Sequence, residues 1–100
     1  MILVTGTITF DADKTDTLLS AVADLVPATL AEEGCVDYGF WLSPTEPGVV
    51  RVVEQWADEA ALNAHFATMH MATFMGAMGD CGISATDIWR HDVAQSSKLM

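Results

Sequence analysis

The apolar residues of this chain change period along its length, and the order of those changes constrains the fold more than any other feature. Ile2, Val4, Gly6, Ile8 and Phe10 occupy every second position, the pattern of a half-buried strand. The period then becomes helical through Leu18, Leu19, Val22, Leu25, Val26 and Leu30, with Thr15 or Asp16 placed to cap the start. Pro27 falls inside this helix and lacks a backbone donor, so a kink, or the end of a first segment near Val26, is expected. Gly34, after Glu32 and Glu33, can take a left-handed cap. Alternation returns in Val36, Tyr38, Phe40 and Leu42, and again from Val49 to Trp56. The turn-rich stretch Pro44-Thr45-Glu46-Pro47-Gly48 makes these two strands a hairpin. Asp58 caps a second helix with Leu62, Phe66 and Met69 on its apolar stripe and His65 beside it. A break is expected near His70, then a further turn or two through Met71, Phe74, Met75 and Met78. A last strand runs from Ile83 to His91, and residues 93–100 read as a mobile tail.

The order β-α-β-β-α-β is the split βαβ arrangement of ferredoxin-like α+β domains, here a single domain over residues 1–92. Right-handed crossovers then predict an antiparallel sheet of spatial order 4-1-3-2 with both helices on one face. The other face also carries large residues in alternation, and apolar residues make up 51% of the 100 positions. So much apolar surface on so small a domain needs a cover, and a second copy laid face to face supplies one. A homodimer with a barrel-like core is therefore expected. Cys35 and Cys81 start or precede the two edge strands, so they should lie too far apart to bridge and remain free thiols.

The formal charge is −10, with only Lys14, Arg51, Arg90 and Lys98 positive. Clustered cations for phosphate are missing, which argues against nucleic acid and against an anionic membrane surface. No apolar run approaches the ~20 residues of a membrane-spanning helix, and the first residues read as a strand without a basic flank, so a cytoplasmic location is expected. No glycine-rich phosphate loop, cysteine–histidine metal pattern or serine nucleophile elbow occurs, and no cofactor is expected.

The chemistry-bearing residues gather between Glu32 and Phe74. Glu54 sits amid Val52, Val53 and Trp56, so its carboxylate must find a donor or become protonated, and His65 is the expected partner. Such a pair either fastens helix to sheet or forms an acid/base couple at a pocket floor. His65 and His70 are five apart and would point about 140° away from each other on one continuous helix. That is not the four-residue spacing of a helical zinc pair, so no metal site is expected. Either histidine could instead accept a proton from a phenol or quinol, since its pKa lies near neutrality. Tyr38, Trp41, Trp56, Phe66 and Phe74 are candidates to line a cleft between sheet and second helix, suited to a flat aromatic ligand. Met69, Met71, Met75 and Met78 add an adaptable wall, and Asn63 could donate to a ligand oxygen.

Three motifs, in order, carry a resemblance. Glu32-Glu33-Gly34-Cys35-Val36-Asp37-Tyr38, then Glu54-Gln55-Trp56, then Ala61-Leu62-Asn63-Ala64-His65 with His70 following, resemble the antibiotic biosynthesis monooxygenase family. The resemblance implies a dimeric α+β barrel and a cofactor-independent monooxygenase acting on a small electron-rich aromatic, a quinol or polyketide-like ring, with dioxygen as co-substrate. On that reading His65 or His70 is the base and Glu54 orients it. The same fold also serves non-enzymatic ligand-binding dimers and haem-binding or haem-degrading proteins. The scarcity of arginine and lysine weighs against haem, whose propionates need cationic partners.

Overall fold

A computed structural model describes residues 1–100. The elements are β1 (Ile2–Thr9), α1 (Thr15–Leu30), β2 (Cys35–Leu42), β3 (Val49–Trp56), α2 (Glu59–Phe66), α3 (Met69–Met78) and β4 (Ala85–Asp92), with a 3₁₀ turn at Ala12–Lys14 before α1. The four strands form one antiparallel sheet in the order β2-β3-β1-β4, the order expected from the sequence read from its other edge. No helix is long and apolar enough to cross a membrane.

Alternation explains the layering. Ile2, Val4 and Ile8 of β1 and Val50, Val52 and Trp56 of β3 are buried on the face that carries the helices. Leu18 and Leu25 of α1, Leu62 of α2, and Phe74 and Met78 of α3 meet them there. Each such side chain contributes about 1.5–3 kcal/mol when fully buried. The opposite face carries Arg51, Trp41 and Trp89, all exposed in the single chain. Strand β4 is exposed along its whole length.

Helix α1 does not end near Val26, one of the two outcomes expected of Pro27. It runs unbroken through Pro27 to Leu30. Proline removes only its own bond to the carbonyl four residues earlier. That carbonyl belongs to Ala23, and both residues are exposed, so water can take the orphaned acceptor. The second helical region departs the other way. The break comes at Ala67 and Thr68, before His70, and the following piece is a full helix of 10 residues. Thr68 makes the break: its hydroxyl donates to the His65 carbonyl at 2.8 Å and accepts from the Met71 amide at 3.2 Å. The last strand begins at Ala85 and ends at Asp92, shifted by one or two residues from the reading of the sequence. Both cysteines are free.

Two glycines set close approaches. Gly34 has φ 84°, its carbonyl accepts from the Ala57 amide at 2.8 Å, and a Cβ there would lie 2.5 Å from the Ala61 methyl. This pins the turn after α1 against the start of α2. Gly6 lies opposite Ile88, and a Cβ on it would fall 2.1 Å from the Asp87 carbonyl oxygen. Strand β4 therefore docks on β1 only because position 6 has no side chain. We expect Gly6→Ala to cost about 2 kcal/mol, which lowers the thermal midpoint by about 8–16 °C in a domain this size. Thermal unfolding followed by circular dichroism checks this; an unchanged midpoint would show that β4 is held some other way.

Candidate active site

The β2–β3 register places Tyr38 opposite Glu54 and Phe40 opposite Val52, all on the helix-covered face. Above them α3 lays Met71, Phe74, Met75 and Met78, and β4 brings Thr86 and Ile88 from the side. Together these residues enclose a cavity of about 200 Å³. Its walls are apolar, and Glu54 is its one carboxylate.

Glu54 is only 9% exposed. One carboxylate oxygen accepts from the Trp56 indole N–H at 2.9 Å. Residues two apart on a strand face the same way, which is how β3 supplies both groups. Burial raises the Glu54 pKa, the Trp56 hydrogen bond and the charge of His65 pull it back, and Glu32 adds to the rise. Tyr38 is pushed far above the ordinary phenol range, by burial first and then by Glu54 and Glu32. It stays protonated and remains a donor.

The partner expected for Glu54 is taken by another carboxylate. His65 is 1% exposed, and its Nδ1 lies 2.7 Å from Oε2 of Glu32. His70 Nε2 lies 2.7 Å from the same oxygen. The two histidines do not splay apart as on one continuous helix, because the break at Thr68 puts them on different helices that converge on Glu32. His65 packs against the rings of Trp56 and Tyr38 at centroid distances of 4.9 and 5.2 Å. Its Nε2 is buried without a hydrogen-bond partner. In the sequence Glu32 stands out only as part of a helix stop and a motif. The signal available was a carboxylate held next to a cap glycine, in the stretch that also carries the histidines.

The remaining candidates separate. Tyr38 and Phe74 line the cavity. Trp56 lies fully buried behind Glu54. Trp41 is 56% exposed on the opposite face of the sheet, with its ring folded over Gly39. Asn63 and Phe66 are exposed on α2 and do not line the cavity. The cleft lies between the sheet and α3 rather than beside α2, because the early break turns the methionine-rich stretch into a helix of its own. A wider groove of about 880 Å³ separates α1 from α3 and includes His70, Asp16 and Asp24. It is the more open of the two and shields its contents less from water.

Residues 1–77 match the antibiotic biosynthesis monooxygenase family. The chain belongs to that family. "Probable quinol monooxygenase YgiN" of Escherichia coli is 33% identical over 69 residues, which span 61% of this chain and 66% of that one. YcnE of Bacillus subtilis is 27% identical over 95 residues, spanning 95% of this chain and all (100%) of its own. A crystal structure from Deinococcus radiodurans superimposes with a TM-score of 0.90 at 21% identity, covering 100% of this chain and 99% of the other. At that identity the superposition speaks for the fold alone.

The raised Glu54 pKa has a stability consequence. A carboxyl whose folded pKa exceeds its unfolded value, about 4.3, costs nothing when protonated in both states and costs stability once ionised. The penalty therefore appears as pH rises from the ordinary carboxylate range through the folded pKa. Glu54→Gln keeps an oxygen for the Trp56 indole and removes the buried charge. We expect the variant to have a higher thermal midpoint than wild type at pH 8, with the difference shrinking towards pH 4. A lower midpoint at pH 8 would mean that the charge is held by more than Trp56.

Proposed function

We propose that this protein is a monooxygenase that needs no tightly held cofactor and acts on a single-ring, electron-rich phenol or quinol. One observation carries the reading: an apolar cavity of about 200 Å³ with Glu54 and Tyr38 on its floor. An engineered apolar cavity of about 150 Å³ takes a benzene ring, so this one suits a ring with a few substituents. Glu54, its basicity raised by burial, takes the phenolic proton. Tyr38 donates to the resulting oxyanion. The ring anion transfers an electron to dioxygen and the two combine, forming a carbon–oxygen bond to a peroxide that regains the proton from Glu54. The O–O bond then breaks as the same ring carbon loses its hydrogen, leaving a carbonyl and water. One oxygen atom stays on the ring, the other leaves as water, and the ring supplies all four electrons. The methionine and phenylalanine walls keep bulk water from the peroxide.

This assignment exchanges the roles expected from the sequence. Glu54 lines the cavity, whereas His65 and His70 both bond to Glu32, so the base is Glu54 and His65 backs the floor. The name of YgiN, a probable quinol monooxygenase, accords with the substrate class. Oxygen uptake with a panel of quinols is the test. Turnover should fall by about 10²–10⁴ in Glu54→Gln, the range for losing a general base. Saturable binding of aromatics without oxygen uptake would make the protein a ligand-binding member of the fold instead.

We infer also that a second copy covers the open sheet face. Trp89 is 63% exposed there on edge strand β4 and Trp41 is 56% exposed on the other edge strand, β2, so this face carries more apolar surface than an isolated chain of this size holds comfortably. Sedimentation at micromolar concentration should give the dimer mass; a monomer would count against this cover.

A further inference from the structure

We propose that Glu32, His65 and His70 form a binding site for a divalent transition ion of the zinc class. The proposal is independent of the oxygenase reading, since none of the three lines the cavity. Their donor atoms, one from each residue, all lie within 4.8 Å of one another. Two imidazoles and a carboxylate are a donor set that zinc and its neighbours accept, with water in the fourth position.

Separate elements deliver the three groups. Glu32 stands on the turn that Gly34 pins against α2. His65 ends α2, and His70 lies in the first turn of α3. Thr68 links the two helices by holding the His65 carbonyl. The arrangement is thus set by backbone contacts as well as by the side chains' own bonds.

The rearrangement required is small. Bonds of about 2.0–2.2 Å in tetrahedral geometry separate ligand atoms by roughly 3.4 Å. The two nitrogen–oxygen distances are 2.7 Å now. They must open by less than an ångström, and the two nitrogens, which lie within 4.8 Å of each other, must settle at the same separation, both within reach of side-chain rotation. Both nitrogens now hydrogen-bond to one oxygen, and an ion would replace the two contacts. His70 is 27% exposed and borders the groove between α1 and α3, which gives solvent ions a way in. His65 must then carry its proton on Nε2, which is buried without a partner. That opposes binding and weakens the expected affinity.

Zinc titrated into the metal-free protein, with calorimetry and metal analysis after dialysis, tests this. We expect one ion per chain, a thermal midpoint that rises with zinc, and visible absorption from cobalt in the same site. Losing even an outer-sphere partner costs about 10–100-fold in affinity, so losing a ligand in His70→Ala should cost at least that. Glu32→Gln, which keeps the size of the side chain, should lose affinity in the same way. His91→Ala removes an exposed histidine on β4 and should bind as wild type does. No saturable one-to-one binding by the wild type would overturn the proposal. So would zinc uptake by a folded His70→Ala variant equal to that of wild type, which would place the ion on surface carboxylates.

Discussion

Glu32 receives two imidazoles on one oxygen, and much of the site's geometry follows from that shared acceptor. The carboxylate sits on the turn between α1 and β2. His65 and His70 come from two helices that meet at a sharp break. Hydrogen bonds to an ionised group contribute about 1.5–3 kcal/mol each when buried, less where water competes as it does at His70. The pair therefore ties the junction of α2 and α3, whose break Thr68 makes, to the turn after α1. Because α3 roofs the cavity above Tyr38 and Glu54, the same pair also sets that roof. His65 is further held between the rings of Trp56 and Tyr38, so the carboxylate network and the aromatic core are one packing unit.

The two carboxylates of this region, Glu32 partly buried and Glu54 buried, have different surroundings and hence different uses. Glu32 has two imidazole partners hydrogen-bonded to one of its oxygens. Glu54 has a single neutral donor, Trp56, and an apolar cavity in front of it. Desolvation therefore outweighs its one hydrogen bond and raises its pKa. A carboxylate so placed is a stronger base than one in water, at a cost in fold stability. Binding and chemistry at Glu54 can thus be served by a residue that the fold itself would do better without.

Much of the architecture is legible in the sequence. The alternation in β1 and β3, the hairpin turn at Pro44–Gly48 and the cap at Asp58 follow from local rules, and the strand order followed from chain connectivity and handedness. No helix end occurs near Val26 because a lost helix bond matters only where water cannot replace it, and exposure at Ala23 is a tertiary property. The break falls two residues before His70 because Thr68 caps α3, and periodicity of the apolar residues does not mark that cap. Of the site candidates, Tyr38, Glu54 and Phe74 reach the cavity because strand alternation and helix spacing put them on the buried face. Trp41 lies on the other face by the same alternation, and only the composition of the segment had grouped it with them.

Periodicity by itself determined which residues face the helices, how many strands form, and their order, because those depend on neighbours along the chain and on the hand of the crossovers. The partner of His65 was decided only in three dimensions. Glu32 and Glu54 are both carboxylates in the right stretch, and nothing local distinguishes them. The difference arises where the turn after α1 packs against the junction of α2 and α3, a contact between residues more than 30 positions apart. Long-range contacts of this kind depend on how whole elements pack, which no window of the sequence contains.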